Sequence, residues 1–168
     1  WLFAFNTTAY YYINQIQICT MNLIRTNSLN PDFQKLTALF DEYLVIIDGD
    51  EKDFFAQYNH IFLGNVIICY ENGIAIGCGA IKKHSDRKVE IKRMFVHPDY
   101  RGKEVASRLL SELENWAKEL NFEVAILETS IKLENAIRLY KKFGYKITKQ
   151  YGQYIGVESS VCMKKVLK

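Results

Sequence analysis

The sequence predicts a mixed α/β fold, in which helices cover both faces of a mostly antiparallel sheet. Two β-rich runs, at 65–70 and 74–82, are joined by Asn72-Gly73, the dipeptide that suits a type I′ hairpin. A strand-like run at 88–96 is followed by an amphipathic helical pattern and then by a short apolar run at 124–127. Because such a β-α-β crossover joins parallel strands, we expect one parallel pair in the sheet.

The remaining elements follow from apolar periodicity and from capping residues. Residues 31–44 carry apolar side chains at helical spacing, with Asn30 placed to cap the first turn. The helical pattern at 134–143 ends at Gly144, a residue typical of a left-handed C-cap. In chain order we expect a strand at 22–25, helices at 31–44 and 54–58, strands at 65–70, 74–82 and 88–96, a helix at 102–120, a strand at 124–127, a helix at 134–143, and strands at 145–149 and 157–164.

The composition favours a single globular domain. The chain has 168 residues, 49% of them hydrophobic, which is enough material for one core. A net charge of +3 permits an anionic ligand, but the basic residues are spread along the chain and do not indicate nucleic-acid binding. No apolar run is long enough to span a bilayer. The four cysteines form no Cys-x-x-Cys pair, so we expect reduced, buried thiols in a cytoplasmic protein, without a disulfide framework or a zinc site.

The first twenty residues differ in character from the rest. Residues 1–20 start without Met, contain no charged side chain, and are dense in Tyr, Ile, Asn and Gln. They lack the basic start and the compact apolar block of a secretory signal. Because Met21 directly precedes the first predicted strand, we hypothesise that it is the natural start. Residues 1–20 would then be non-native or mis-annotated sequence, and residues 21–168 the single domain; the alternative is an additional strand or arm.

The most informative segment is the turn that follows the 88–96 strand. The strand ends at Pro98, and a basic turn containing Gly102 then opens directly into an amphipathic helix. The start of a helix exposes N–H groups without partners, and its dipole favours an anion. With Arg101 and Lys103 beside it, this pattern indicates a site for a phosphate-bearing ligand. An ordinary strand-to-helix connection with solvated basic residues is the alternative.

Two blocks of the sequence resemble the GNAT superfamily of N-acetyltransferases. The first reads Val96-x-Pro98-x-Tyr100-Arg101-Gly102-Lys103, followed by a helix. The second reads Ala136-Ile137-Arg138-Leu139-Tyr140-Lys141-Lys142-Phe143-Gly144-Tyr145. The resemblance extends over residues 22–165 in the order of the elements. It implies an acetyltransferase whose parallel strands are splayed into a V, with acetyl-CoA as the co-substrate.

The resemblance also implies which residues hold the pyrophosphate of acetyl-CoA. They form the turn into the helix: Arg101, Gly102, Lys103, Glu104, Val105 and Ala106. Glu104 departs from the family pattern, because a glycine is usual there and allows close approach of the backbone to the diphosphate. A glutamate in the first helical turn suits the helix dipole. We therefore expect its side chain to turn to solvent and to cost little binding.

The strand before the turn has a role implied by the same resemblance. Backbone groups of Met94, Phe95 and Val96 would lie along the cofactor, and one N–H would hold the acetyl oxygen as it becomes an oxyanion, a contribution of about 3 kcal/mol. Core packing also explains these apolar side chains. The family's asparagine before the second helix falls on Leu133 here, which leaves Asn135 as the candidate cofactor contact.

Acetylation of an amine calls for a base, because an alkylammonium of pKa about 10 is neutral only about once in a thousand at pH 7. Glu90 is the candidate, since it lies four residues before Met94 and would share that residue's face of a regular strand. Some family members carry a base carboxylate at the corresponding position. There are two alternatives for Glu90: it binds the substrate, or it is an ordinary solvent-facing residue between Lys88 and Lys92. Glu128, at the end of the parallel strand, is the second candidate and a substrate-binding candidate.

Tyr140 is the candidate acid. It matches the tyrosine of the family's Leu-Tyr-x-Lys-x-Gly block, which implies that it protonates the departing thiolate. A thiol of pKa near 8.5 can take a proton from a phenol at small thermodynamic cost. The alternative for this residue is an aromatic side chain packed on the sheet.

The acceptor site is indicated by a loop late in the chain. Residues 151–158 are punctuated by glycines and carry Tyr151 and Tyr154, our substrate-binding candidates, since such loops commonly wall an acceptor pocket. A plain hairpin connection explains the loop equally well. Together with the acidic segment at 48–53, the loop hints at a cationic amine acceptor. The three histidines show no metal-ligand spacing, so no metal is expected.

The sequence therefore predicts an acyltransferase that moves the acetyl group of acetyl-CoA to a primary amine by direct attack in a ternary complex. The acceptor is a small-molecule amine or a protein amine, and neither nucleic acid nor a membrane is expected as a partner. A homodimer would be usual for the family. The alternative is a non-catalytic acyl-CoA-binding or sensing domain of the same fold, which Glu104 and Leu133 favour.

Overall fold

A seven-stranded sheet forms the centre of the part of the chain that the structure describes. The computed structural model describes residues 21–49 and 61–167. Residues 1–20, the predicted helix at 54–58 and most of the acidic segment at 48–53 lie outside these ranges. The strands and helices are β1 (Met21–Thr26), α1 (Pro31–Asp48), β2 (Asn65–Glu71), β3 (Ile74–Lys83), β4 (Lys88–Val96), α2 (Val105–Glu119), β5 (Val124–Ser130), α3 (Glu134–Lys142), β6 (Lys146–Ile147) and β7 (Ser160–Val166).

The strand order is β1-β2-β3-β4-β5-β7-β6. The strands β4 and β5 are parallel, and every other neighbouring pair is antiparallel. The fold class predicted from the sequence is therefore confirmed, including the parallel pair. The hairpin prediction is also confirmed, because Asn72 and Gly73 both have positive φ, at 51° and 81°, as a type I′ turn requires.

Each face of the sheet is covered by helices. On one face the apolar side of α2, including Leu109 and Leu113, packs with Tyr140 of α3 into the larger core. On the other face Phe33 and Leu36 of α1 form a second core with side chains of β2, β3 and β4. The two faces therefore have separate neighbours, and a residue's face can be read from the core that it joins.

The parallel pair separates part of the way along. Pairing between β4 and β5 begins at Lys88 with Val124 and ends at Ile91 with Leu127, although both strands continue beyond this point. From there β4 pairs with β3, and β5 pairs with β7. Because each strand is held on its outer side, the two can diverge without losing their other hydrogen bonds. This divergence is the V-shaped opening that the resemblance implies.

A β-bulge interrupts β4 just after the strands diverge. Phe95 pairs with Cys78, but Lys92 pairs with Ala80, so β4 has one residue more than β3 between these pairs. Within the bulge Arg93 adopts a left-handed backbone, with φ of 56°. A bulge breaks the strict alternation of side chains along a strand. It therefore decides which residues of β4 face the opening.

Met94 and Gly79 lie at the bulge and fit together closely. Met94 packs against the core under α2, whereas Phe95 joins the core under α1. A Cβ added to Gly79 would lie 2.6 Å from the Met94 sulfur and 2.7 Å from a methyl carbon of Leu113. Gly79 therefore leaves the space in which Met94 and α2 approach β3.

Some predicted boundaries are wrong, for local reasons. Helix α1 continues to Asp48 instead of ending at 44, through an apolar stretch that carries no stop signal before Gly49. Helix α2 begins at Val105 instead of 102, because the residues before it take left-handed conformations. Strand β7 begins at Ser160 instead of 157, because the preceding residues form successive turns, and β6 has two residues instead of five.

Candidate active site

A cleft of about 820 Å³ lies where β4 and β5 diverge. Its walls come from the end of β4, the turn into α2, the start of α2, one face of α3 and the middle of α1. The residues predicted from the sequence that line it are Met94, Phe95, Val96, Arg101, Gly102, Glu104, Val105, Ala106, Asn135 and Tyr140. Lys103 is not among the lining residues, and its Nζ lies 3.8 Å from Glu71 Oε2.

The start of α2 presents backbone N–H groups to this cleft. The hydrogen bond from the Arg108 N–H to the Glu104 carbonyl, 3.0 Å long, closes the first turn of the helix. The N–H groups of Val105, Ala106 and Ser107 precede it, so the helix itself offers them no acceptor. The Glu104 side chain forms no capping hydrogen bond with them. The helix start therefore offers donors and a positive dipole end to an anion in the cleft.

The expected position of Glu104 in the first helical turn is wrong. Glu104 precedes α2 and is left-handed, with φ of 60° and ψ of 10°, as is Gly102 with φ of 78°. This conformation costs a residue other than glycine about 1–2 kcal/mol. Glycine would therefore suit this position for two reasons. It adopts the left-handed conformation without this cost, and it would allow the close approach of the backbone to a diphosphate that the family pattern implies. The Glu104 side chain is exposed, as expected.

Two basic side chains connect the rim of the cleft to α1. Arg101 donates from Nε to the Val96 carbonyl at 3.1 Å, and its guanidinium carbon lies 5.3 Å from the centre of the Tyr43 ring. Across the opening, Lys132 donates from Nζ to the Ile47 carbonyl at 2.7 Å, near the C-terminal end of α1. The contribution of α1 to the cleft was missed from the sequence, because nothing in its amphipathic pattern indicates which strand ends it will cross.

Tyr140 is held in the cleft wall by the end of α3. The Tyr145 N–H donates to the Tyr140 carbonyl and the Gly144 N–H to the Lys141 carbonyl, both at 3.0 Å, with Gly144 at φ of 87°. This is the Schellman pattern, which confirms the predicted C-cap. It sets the Tyr145 ring edge-on to Tyr140, 5.7 Å between centres. Burial raises the pKa of Tyr140 above the ordinary value, and the charge of Glu128 adds to the effect.

The expectation that Glu90 shares the face of Met94 is wrong. Val89 and Ile91, on either side of Glu90, point into the core under α2. Glu90 therefore points to the opposite face, while the bulge at Arg93 returns Met94 to the face of α2. Glu90 is also not a solvent-facing residue, since it is 6% exposed. It does not line the cleft, and a strictly alternating strand cannot predict this arrangement.

Glu90 belongs to a buried polar cluster with both predicted acceptor tyrosines. Its Oε1 accepts hydrogen bonds from the hydroxyls of Tyr151, at 3.1 Å, and Tyr154, at 3.4 Å. Its Oε2 lies 3.8 Å from Nζ of Lys92, which also donates to the Tyr154 hydroxyl at 3.4 Å. Burial, followed by the charge of Glu90, raises the pKa of each tyrosine, and burial lowers the pKa of Lys92. We call these four residues the Glu90 cluster.

Glu128 connects the Glu90 cluster with the cleft. Its Oε1 accepts a hydrogen bond from the Ser160 hydroxyl at 2.6 Å. Its charge acts on both Tyr140 and Tyr154, raising the pKa of each. Glu128 is therefore close enough to influence both the candidate acid, Tyr140, and a tyrosine of the Glu90 cluster. Ser160 was missed from the sequence, because its position depends on the pairing of β5 with β7. This pairing sets Ser160 opposite Ser130, two residues beyond Glu128 on the same strand.

Arg93 is a further residue that sequence reasoning missed. Its side chain is buried and lines the cleft, with Nη1 2.7 Å from Asp41 Oδ1 and Nη2 donating to the Thr37 carbonyl at 3.0 Å. Its guanidinium lies over the Phe40 ring. All three partners belong to α1, so Arg93 fastens the bulge to that helix. Two consecutive cations, Lys92 and Arg93, inside an apolar strand were the signal that could have indicated an irregular strand.

Other features of the described residues bear on the choice of chemistry. Cys69, Cys78 and Cys162 are buried free thiols. No group of three or more His, Cys, Asp or Glu side chains within 21–49 and 61–167 is arranged to hold a metal ion. Across the same ranges, none of the helices combines the length and the apolar character needed to cross a membrane.

Comparisons with known proteins identify the family of this chain. The model of the Acetyltransferase (GNAT) family matches residues 27–145, more than half of the chain. The IAA acetyltransferase of Azospirillum brasilense is 33% identical over 102 residues, which are 60% of this chain and 67% of that protein. An uncharacterised N-acetyltransferase of Schizosaccharomyces pombe is 35% identical over 82 residues, 48% of this chain and 50% of that protein. The chain thus spans between half and two thirds of these two relatives.

Solved structures share the fold over most of the chain. A crystal structure described as an acyl-CoA N-acyltransferase from Klebsiella pneumoniae is 27% identical, with a TM-score of 0.75 over 89% of this chain and 99% of that one. Arabidopsis thaliana Naa50, in complex with the bisubstrate analogue CoA-Ac-MVNAL, is 30% identical, with a TM-score of 0.51 over 60% of this chain and 71% of that one. The protein belongs to the acetyltransferase (GNAT) family. The family and the enzyme class predicted from the sequence, an acyltransferase, are confirmed.

Proposed function

We propose that this protein transfers the acetyl group of acetyl-CoA to a primary amine, by direct attack of the amine in a ternary complex. The observation that carries the proposal is the divergence of β4 from β5, with Tyr140 on the face of the sheet that α2 and α3 cover and the Glu90 cluster on the other face. Acetyl-CoA would bind in the cleft at this divergence, and the amine would approach from the side of the Glu90 cluster. Binding of a bisubstrate analogue by the Arabidopsis relative supports a reaction in which both substrates are bound together.

The diphosphate of acetyl-CoA would bind at the start of α2. The N–H groups of Val105, Ala106 and Ser107 are aligned there without an acceptor from the helix. Arg101 supplies positive charge beside them. The left-handed conformations of Gly102 and Glu104 turn the chain into the helix, so that these donors face the cleft. The residues present therefore suit a diphosphate.

The thioester would extend along the open edge of β4. The His97 N–H donates to the Ile76 carbonyl on the β3 side. Because N–H groups alternate sides along a strand, those of Val96 and Met94 face the opening left by β5. We assign the oxyanion contact to one of these two N–H groups. A donor of this kind contributes about 3 kcal/mol to stabilising the transition state.

The amine would lose its proton to the Glu90 cluster. Deprotonating an alkylammonium at pH 7 costs about 4 kcal/mol, which a base within reach can supply. Tyr151 and Tyr154 each donate a hydrogen bond to Glu90, and Tyr154 is buried whereas Tyr151 is half-buried. Tyr151 therefore lies nearer the surface, where an acceptor arrives. We propose Glu90 as the base, with Tyr151 and Tyr154 in the wall of the acceptor site.

Tyr140 would stabilise the departing thiolate. Its raised pKa keeps the hydroxyl protonated at neutral pH, which a donor needs. The same shift makes full proton transfer to a thiolate less favourable than the sequence alone suggests, because a thiol of pKa near 8.5 is the stronger acid. Tyr140 therefore stabilises the thiolate first by a hydrogen bond to an ionised acceptor, which is stronger than a neutral one.

We propose a cationic amine as the acceptor. The carboxylates of Glu90 and Glu128 would attract an ammonium group, although Lys92 and Lys82 beside them oppose this attraction. Both a small-molecule amine and a protein amine meet this requirement. Buried free thiols are typical of a reducing compartment, so we place the reaction in the cytoplasm.

The decisive experiment combines binding with turnover. Calorimetry with CoA and acetyl-CoA should show uptake of both, and a panel of amines with acetyl-CoA should release free thiol for at least one of them. No uptake at millimolar concentration would refute the proposal. Uptake without turnover on any amine would instead support the acyl-CoA-binding or sensing domain considered from the sequence.

A further inference from the structure

Lys92 lies at the opening between β4 and β5, on the face of the sheet that carries Glu90. It follows Glu90 by two residues and pairs with Ala80, which belongs to the core under α1. Glu128 is at the same level on β5, because each of the two lies one residue beyond the last position at which the strands pair. Lys92 and Glu128 are therefore the first side chains on this face where the strands separate, and they flank the point at which an amine would attack.

The Lys92 ammonium is buried with few close partners. Its side chain is 10% exposed. An ammonium has three N–H donors. From the described residues it has one long hydrogen bond, to the Tyr154 hydroxyl at 3.4 Å, and Glu90 Oε2 lies at 3.8 Å, beyond hydrogen-bond distance. Burial lowers its pKa despite the nearby carboxylates. Lys92 thus has donors left for an anionic group of a ligand.

The charges around Lys92 include both signs. The charged groups that act on it are the carboxylates of Glu90 and Glu128 and the cations of Lys82 and Arg93. Arg93 is already paired with a carboxylate of α1, at 2.7 Å. Lys82 lies directly opposite Glu90 on β3, so it shares the same face of the sheet. A ligand with an ammonium alone would meet repulsion from both lysines here, whereas a ligand that also carries an acid group would find opposite charge at each end.

We infer that the acceptor carries an acid group a few bonds from its amine, as short amino acids and aminophosphonates do, and that Lys92 binds this acid group. The inference rests on the proposed function, because it places the amine beside Glu90. The 3.8 Å between Lys92 Nζ and Glu90 Oε2 sets the spacing, since a ligand that contacts both groups has its amine and its acid group near each other. Lys82 adds a second positive charge on the same face.

The test compares acceptors in matched pairs that differ in the acid group. β-Alanine and propylamine have the same chain length and amines of similar pKa, about 10. With acetyl-CoA, thiol release should give a kcat/KM about tenfold higher for β-alanine than for propylamine, as expected for an acid group held by an ammonium. Glycine with ethylamine and 4-aminobutyrate with butylamine extend the comparison to other spacings. A further comparison, of 2-aminoethylphosphonate with β-alanine, shows which acid group is preferred.

The variant Lys92→Met tests whether this lysine causes the preference. Methionine keeps a similar length without the charge, so the ratio of kcat/KM between the members of the preferred pair should fall from about tenfold to about onefold. The ratio cancels any effect of the variant on Glu90, which acts on both acceptors alike. Unchanged CoA affinity by calorimetry shows that the variant is folded, because Lys92 does not line the cleft.

Lys88 offers a matched control on the same strand. It is exposed and lies where β4 and β5 still pair, four residues before Lys92. The variant Lys88→Met removes the same charge from the same face and should keep the ratio.

Three results would overturn the inference and leave the proposed function standing. The first is a monoamine acetylated as well as the matched acid in every pair, or turnover only on amines that lack an acid group. The second is an unchanged ratio in Lys92→Met, because this lysine would then have a structural role alone. The third is an equal loss of the ratio in Lys88→Met. Absence of thiol release with every amine would instead refute the proposed function.

Discussion

The two sides of the opening between β4 and β5 are built in different ways. On the side of α2, the proposed anion site consists of backbone N–H groups in consecutive residues, those of Val105, Ala106 and Ser107. On the other side, the Glu90 cluster consists of side chains from β4 and from a loop sixty residues later in the chain. A site made of backbone depends on a local turn. A site made of side chains depends on strand register and on the bulge at Arg93.

The two sides also differ in charge and in protonation. The cleft offers N–H donors, Arg101 and the protonated hydroxyl of Tyr140, whereas the other side offers carboxylate oxygens. The proposed proton donor, Tyr140, and the proposed proton acceptor, Glu90, therefore lie on opposite faces of the sheet, and the charge of Glu128 raises the pKa of Tyr140 and of Tyr154. This separation suits a reaction in which one substrate loses a proton while the other gains one. The predictions below ask whether the two sides work as distinct units.

The largest effect is expected from Glu90→Gln. The amide keeps the shape and one acceptor oxygen but cannot take a proton, so kcat on the best amine should fall by about 10²–10³. Affinity for CoA should stay within about twofold, because Glu90 does not line the cleft. Thiol release and calorimetry measure the two quantities. Glu123→Gln, in a surface ion pair with Arg87, is the control and should leave both unchanged. An unaltered kcat for Glu90→Gln would make Glu128 the candidate base.

A smaller effect on turnover is expected from Tyr140→Phe. Loss of the hydroxyl should lower kcat by about 10²-fold and leave CoA affinity within about twofold, because the ring still packs in the core. Tyr145→Phe is a matched control, since the Tyr145 ring packs edge-on against Tyr140 but Tyr145 does not line the cleft. If both variants lost the same activity, the effect would come from packing and not from the acid.

Stability at high pH should report on the buried tyrosines of the Glu90 cluster. Their pKa values are raised in the folded protein, so above pH about 10 the unfolded chain ionises first and binds fewer protons. Stability is therefore fully present below pH 10 and falls above it, by up to about 1.4 kcal/mol per pH unit for each such tyrosine. Urea unfolding between pH 8 and 11 should show a shallower decline for Tyr154→Phe than for wild type. Identical slopes would contradict burial of this hydroxyl.

The smallest effect is expected from Glu104→Gly. Glycine accepts the left-handed conformation and removes a carboxylate near the diphosphate, but the side chain is exposed, so CoA affinity should rise by less than about tenfold. Glu104→Gln removes the charge alone and separates the two contributions. A rise above tenfold for Glu104→Gly, measured by calorimetry, would mean that this side chain points at the diphosphate.

The elements that the sequence predicts well are those with local causes. Asn72-Gly73 supplies both positive φ values of a type I′ turn, and Gly144 supplies the left-handed residue that ends α3. From consecutive residues, the turn into α2 was predicted as an anion site. Its detailed conformation was not, because a left-handed Glu104 is unusual and no propensity scale favours it. The length of α1 was underestimated, because the apolar residues after 44 carry no stop signal before Gly49.

By itself the sequence predicted the family and the fold class, which are confirmed, and the diphosphate turn and the role of Tyr140, which stay predictions. Each rests on residues close together in the chain. Only the tertiary structure decided where Glu90 points, which tyrosines reach it, and that α1 fastens the bulge through Arg93 and Asp41. The physical reason is that successive side chains of a strand point to opposite faces of the sheet. One added residue in β4 reverses the faces that follow it, and the position of such a bulge is set by the pairing of β4 with β3, a strand distant in the chain.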